Sequence, residues 1–169
     1  PEGAGPQSPV ILFLYGYGGS FLWYQHHLAR HFPKHIIICP AWGISPASIP
    51  PTYLQECLVS VQKRTGHALA KPWLLGLSAG GFGACRVANA APDAFAGMIC
   101  IAAYPLSSPV VRSNPHFIAG SEEAFVKSGY FGRTTAASKH HLIQGGDHFF
   151  LLTHPDETMT KLTEWMNAR

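Results

Sequence analysis

Acidic side chains are scarce in this sequence, with nine aspartates and glutamates against twelve lysines and arginines in 169 residues. Charged residues of both signs together make up only 12%, about half the usual share of a soluble chain. The twelve cations are scattered and the net charge is only +3, so no basic face for nucleic acid is expected. Long apolar runs are missing as well. No stretch approaches the roughly 20 residues that span a bilayer, and no signal peptide is visible. Cys39, Cys57, Cys85 and Cys100 form no C-x-x-C pair, and each lies in an apolar segment, where a free thiol behaves as a small hydrophobe. That predicts buried reduced thiols, no zinc site and a cytoplasmic location. Signatures of phosphate binding are lacking too. "GYGGSF" has Phe21 where G-x-G-x-x-G needs its third glycine, and no G-x-x-x-x-G-K-[ST] occurs. No cofactor is expected.

Apolar residues, by contrast, reach 47%, and they fall in short runs. Residues 9–15, "PVILFLY", read as a strand throughout. A helix follows over 20–32, with Phe21, Tyr24, Leu28 and Phe32 on one face. "HIIICP" at 35–40 is a second strand, and a helix from about 52 to 65 carries Leu54, Cys57, Leu58 and Val61 at helical spacing. "WLLGL" then leads into a helix over 80–91. "GMICIAA", "HFIAG" and "HHLIQ" at 140–144 are further strands. A last helix begins near Pro155, a residue suited to the first helical position, and presents Met159, Leu162 and Trp165 to the core. Continuously apolar strands separated by helices imply a mostly parallel sheet covered on both faces. The expectation is one α/β domain of about six strands over 9–169, a three-layer sandwich, preceded by a linker or disordered segment over 1–8. The "PEGAGPQSP" opening suits a processed form or a domain cut from a longer chain.

Gly76-Leu77-Ser78-Ala79-Gly80 matches G-x-S-x-G at the predicted junction of strand and helix. The glycines suit a tight turn in which side chains two residues either side of the serine would collide. The helix start also sets its dipole beneath the hydroxyl. Cys39 and Cys100 sit on no such turn, so buried packing is expected of them. Ten histidines compete for the role of base. His26, His27, His31 and His35 lie in or just after the first helix. The i, i+4 pair in "HLARH" lacks the glutamate and third ligand of a zinc protease, and a solvated helix face is the plainer account. His67, His116, His140 and His141 precede or start strands, at the opposite edge from the serine, and His154 lies beside the last helix. His148 alone occupies a loop leaving a strand's C-terminal end, where parallel sheets build their sites. Among the acids, Glu2 is terminal, Glu56 lies mid-helix and Asp93 belongs to the opposite edge. Asp147 adjoins His148 too closely to fold back on its ring, and Asp156, Glu157 and Glu164 belong to the last helix. Glu122 and Glu123, in the loop leaving "HFIAG", remain.

Three of these segments resemble the α/β-hydrolase superfamily, in its order. "LYGYGGS" at 14–20 resembles the oxyanion loop, "GLSAGG" the nucleophile elbow and "GGDHFF" at 145–150 the histidine loop. The sequence departs from the pattern at Tyr15, where the loop usually has histidine, and it lacks the family's first two strands and its lid. The resemblance implies a minimal serine esterase or thioesterase with Ser78 as nucleophile and His148 as base. The family's acid often stands three residues after the strand glycine, which selects Glu123 over Glu122. It further implies oxyanion donors in the backbone N–H groups of Tyr17 and Ala79, close backbone approach at glycines 16, 18 and 19, and a substrate site bordered by Gly16, Trp42 and Phe149. The expected partner is an acyl ester or thioester. The rival is a non-catalytic interaction domain that meets a partner domain or a second copy at an exposed sheet edge.

Overall fold

A computed structural model describes residues 3–18, 21–42, 49–104, 115–132 and 138–168. Val10–Leu14 (β1) is buried at all five positions, as is Gly97–Ile101 (β4), so neither strand has a polar face to offer water. Such strands persist only when both sides of the sheet are covered. With Ile36–Ile38 (β2), Trp73–Leu77 (β3), His116–Gly120 (β5) and His140–Ile143 (β6) they form one six-stranded sheet in the order β2-β1-β3-β4-β5-β6. Every pairing is parallel, in a register that sets Leu14 beside Gly76, Gly76 beside Cys100 and Gly120 beside Ile143.

The chain steps outward from β1 to β2 and then back across to β3. Right-handed crossovers therefore put Phe21–His31 (α1) on one face, and Pro51–Thr65 (α2) and Ala79–Ala90 (α3) on the other. The three layers are those the alternating pattern implies. Pro51 opens α2, and Gly66 closes it at φ 70°, donating its N–H to the Gln62 carbonyl. Pro155–Asn167 (α6) buries Met159, Leu162 and Trp165, the stripe its spacing predicts. Phe13, Leu75, Met98 and Ile99 are fully covered at the centre of the core.

Some features differ from the sequence expectation. The second strand shortens to three residues because Pro40 brings no N–H to a ladder. Two one-turn helices, Ala124–Lys127 (α4) and Phe150–Thr153 (α5), and a 3-10 turn at Pro92–Ala94 are additional; four residues carry no detectable period. Residues 3–8 carry a turn in which Gly5 N–H donates to Ser8 Oγ at 2.8 Å and Ser8 N–H to the Gly5 carbonyl at 3.0 Å. The thiols divide. Cys85 and Cys100 are buried with their sulfurs 3.7 Å apart, whereas Cys39 and Cys57 are only half-buried. Even so, burial pushes the Cys39 thiol up to about 12. Among the described residues, no helix is long and apolar enough to cross a membrane.

The tightest packing lies where α3 leaves β3. A Cβ on Gly76 would come 2.5 Å from the Gly80 carbonyl oxygen, across the turn. At Gly80 the nearest obstacle is on the neighbouring strand; a Cβ there would lie 2.1 Å from the Leu14 carbonyl oxygen of β1. Both obstacles are backbone, so neither can swing aside. Gly80→Ala is therefore expected to cost about 3 kcal/mol or more of stability, read as a fall in the urea unfolding midpoint. An unchanged midpoint would contradict this packing.

Candidate active site

Ser78 occupies the point between β3 and α3 with φ 52° and ψ −120°, a region that side-chain-bearing residues rarely adopt. Such strain persists only where the surroundings over-determine it. Here the Ser78 N–H donates to the Ile101 carbonyl of β4 at 2.8 Å, and its own carbonyl accepts from Gly81 N–H at 2.9 Å. Gly16, buried after β1, lies behind it; a Cβ on Gly16 would stand 3.1 Å from the Ser78 Cβ. The hydroxyl is thus carried at the C-terminal edge of the sheet.

The loops after β5 and β6 reach the same edge and are stitched to each other through backbone. Ser121 N–H donates to the Ile143 carbonyl and Glu122 N–H to the Gly146 carbonyl, each at 2.9 Å. Gly145 N–H donates to Ser121 Oγ at 2.9 Å. This fixes the spacing between Glu123, at the start of α4, and His148, just before α5. His148 Nδ1 lies 2.9 Å from Glu123 Oε2, and His148 Nε2 lies 2.9 Å from Ser78 Oγ. Glu123 Oε1 accepts from Gly120 N–H at 3.2 Å. An imidazole with Nδ1 against a carboxylate carries its proton there, leaving Nε2 to accept from the serine hydroxyl.

The two candidate acids have different surroundings. The Glu123 side chain is 3% exposed and meets the ring. Glu122 is turned to solvent and pairs with Lys127 at 2.7 Å, which holds its carboxyl below the usual range. The hydrogen bond that His148 donates to Glu123 raises its pKa above the ordinary value; partial burial opposes the shift, and the charges of Glu123 and Asp147 add to it. Asp147 also caps the local turn, its Oδ1 accepting from Phe149 N–H at 2.8 Å.

A cavity of about 500 Å³ opens beside the serine and the imidazole. Its walls include Phe82, Ala102, Ala103, Ala124 and Phe125, with Glu122 and Glu123 at one side. Ala102 has φ 50° and donates its N–H to the Ile118 carbonyl at 2.9 Å, so a second strained residue borders the site. Among the residues expected around a substrate, Gly16 touches the Ser78 side chain region and Phe149, 57% exposed, meets the His148 ring edge-on at 5.8 Å. Trp42 does not line this cavity. It is buried against Tyr15 at 5.5 Å between centroids, and its backbone N–H donates to the Tyr15 hydroxyl. Ala79 is the first residue of α3, where backbone N–H groups lack intrahelical partners. Tyr17 is 73% exposed beyond β1, and Gly19 lies outside the described residues. The cavity's alanine wall escaped the sequence reading because alanine carries no chemistry of its own. Among the described residues, no three His, Cys, Asp or Glu side chains are grouped to hold a metal ion.

The sequence profile of the α/β hydrolase fold matches residues 9–137, and the chain belongs to that family. Several solved structures share the architecture. A predicted CIB-like hydrolase from Thermoplasma acidophilum superposes with a TM-score of 0.72 at 17% identity, covering 94% of this chain and 86% of its own. MGS-MChE2, an alpha/beta hydrolase enzyme from the metagenome of lagoon sediments of Mar Chica, Morocco, gives 0.71 at 17% identity, over 94% and 90%. The epoxide hydrolase VrEH1 from Vigna radiata gives 0.69 at 12% identity, over 96% and 92%. No curated protein matches the sequence. At these identities the likeness is one of fold.

The electrostatics are open to a direct test. Glu123→Gln removes the charge that stabilises the imidazolium, so the His148 pKa is expected to fall from its raised value towards or below about 6.5. NMR titration of the ring protons measures it in the resting protein. A pKa left in place would show that Glu123 is not its cause.

Proposed function

We propose that the protein is a serine hydrolase that cleaves a carboxylic ester through an acyl-enzyme. The observation that carries this reading is the pair of 2.9 Å contacts by which one imidazole spans Ser78 Oγ and Glu123 Oε2. Ser78 attacks the substrate carbonyl while His148 Nε2 takes the hydroxyl proton, and the imidazolium so formed is held by Glu123. The proton then passes to the leaving alkoxide. Water, deprotonated by the same nitrogen, attacks the acyl-serine ester and releases the carboxylic acid, restoring the hydroxyl. The oxyanion of each tetrahedral intermediate needs preorganised donors, commonly worth about 3 kcal/mol apiece. The backbone N–H groups of Ala79 and Tyr17 are the proposed donors, with Gly16 giving the loop its close approach to the serine.

The preference for esters over thioesters rests on analogy with the fold; the same residues would serve either. Epoxide opening is a poorer fit chemically. A serine that opened an epoxide would be left as an ether, which this machinery cannot hydrolyse, so the enzyme would not turn over. The cavity's alanine and phenylalanine walls favour an apolar group on the substrate, and its open mouth suits an ester presented on a larger molecule.

A second reading, a hydrolase-shaped interaction domain, draws support from β2, which among the described residues pairs on one side only. That edge would accept a partner strand or a second copy. The two readings separate on activity. A fluorophosphonate probe is expected to label the wild-type protein and not Ser78→Ala, and His148→Ala is expected to lose about 10³-fold or more in kcat on a short-chain aryl ester. Equal labelling of wild type and Ser78→Ala, or unchanged hydrolysis in His148→Ala, would favour the interaction domain. In the wild type, kcat/KM should fall on acidification through a pKa above about 6.5, because only the neutral imidazole accepts the serine proton; a pH-rate profile gives the value.

A further inference from the structure

The hydrogen-bond ladder of α5 ends in a gap. His154 N–H donates to the Phe150 carbonyl at 2.8 Å. The next carbonyl, that of Leu151, would look to the N–H four residues on, but position 155 is proline and has none. The chain also leaves the helical path at His154, with φ −128° and ψ 53°. Leu151 is only 1% exposed, so solvent is a poor substitute, and an unpaired buried carbonyl is costly. The donor comes from 124 positions earlier in the chain, where His27 Nε2 on α1 lies 3.2 Å from the Leu151 oxygen.

His27 is itself held in place. The Trp23 ring stacks on its imidazole at 4.9 Å and 15°, and His31 meets it edge-on at 4.9 Å. Burial lowers its pKa, with the charges of His31, Arg30 and His26 adding to the shift and the hydrogen bond to Leu151 opposing it, so near neutral pH the ring is uncharged and donates through Nε2–H. The elements it joins both lead to the site. α1 begins three residues beyond Gly18, at the end of the loop that holds Gly16 and Tyr17. α5 begins two residues after His148, and its first turn is pinned by Phe149 N–H on Asp147 Oδ1 and Phe150 N–H on the Asp147 carbonyl.

We propose that His27 is a positioning residue, whose Nε2–H closes the open Leu151 carbonyl and so fixes the pedestal of His148 against the helix that follows the Tyr17 loop. The brace is a statement about structure; its effect on rate rests on the Ser78–His148 reading above. It accounts for a histidine that the helical pattern alone would assign to a solvated face.

The test compares His27→Leu, which keeps bulk without a donor, with His27→Gln, whose amide nitrogen reaches about as far as Nε2, and His27→Asn, which is too short. Two readouts are taken: hydrogen exchange of the amides at 149–154, and kcat and KM on 4-nitrophenyl acetate. In His27→Leu and His27→Asn, exchange at 149–154 should quicken by about tenfold while the central strands keep their protection. Their kcat should fall about tenfold with KM little changed, as expected of a displaced base. His27→Gln should stay near wild type on both readouts. Unchanged exchange at 149–154 in the Leu and Asn variants, or a Gln variant as impaired as they are, would overturn the proposal. Should His27→Leu not fold, the Gln and Asn pair decides it alone. A wild type that takes no fluorophosphonate label would sink the hydrolase reading, leaving the exchange comparison to judge the brace.

Discussion

No side chain fits between the first turn of α3 and the backbones of β1 and β3. The site depends on that exclusion, because it lets α3 start directly against the sheet and leaves Ser78 at the apex of a strained turn. Two glycines, 76 and 80, satisfy it by different contacts, one across the turn and one against the neighbouring strand. The strain at Ser78 is balanced by a hydrogen bond it donates to β4 and one it accepts from the first turn of α3. The parallel register then does the rest. Strands of similar length, all running one way, bring the loops after β3, β5 and β6 to a common edge, and the backbone stitching between the last two sets the distance from carboxylate to imidazole.

Scarcity of charge has a counterpart in the site. Glu123 is the buried carboxylate of the described core, and both its oxygens are occupied, one by the Gly120 N–H and one by the His148 ring. A carboxylate so held remains an acceptor and favours a proton on its neighbour. The exposed Glu122 beside it is already paired with Lys127, which leaves the imidazole facing one anion rather than two in direct contact. The apolar cavity next to them limits how well water can screen that interaction.

Much of this was legible in the sequence, for physical reasons. Continuous apolar runs identify central parallel strands, and their alternation with helical stripes gives the layered sheet. The elbow carries a dense local signal because its glycines are imposed by contacts that tolerate nothing larger. Elimination narrowed ten histidines to one by asking which lie in or beside a helix and which end of a strand the others occupy. Other features were hidden because they depend on tertiary neighbours. Trp42 reads as a pocket aromatic, yet it packs on Tyr15, a choice made by the fold around it. Ala102, Ala103 and Ala124 shape the cavity through what they lack. The one-turn helices α4 and α5 are too short for periodicity, and the contact between His27 and Leu151 spans most of the chain. The half-burial of Cys39 and Cys57 likewise follows from where their elements meet solvent, which an apolar flank cannot foretell.

The unusual dihedrals of Ser78 have a further consequence. A backbone held in that state by β1, β4 and α3 together cannot survive in a partly assembled sheet, since loss of any one support would let the turn relax. The geometry of that turn is thus a property of the completed molecule and is surrendered with it. Chemical reactivity of that hydroxyl would serve as a gauge of native structure, failing in step with cooperative melting of the sheet rather than ahead of it.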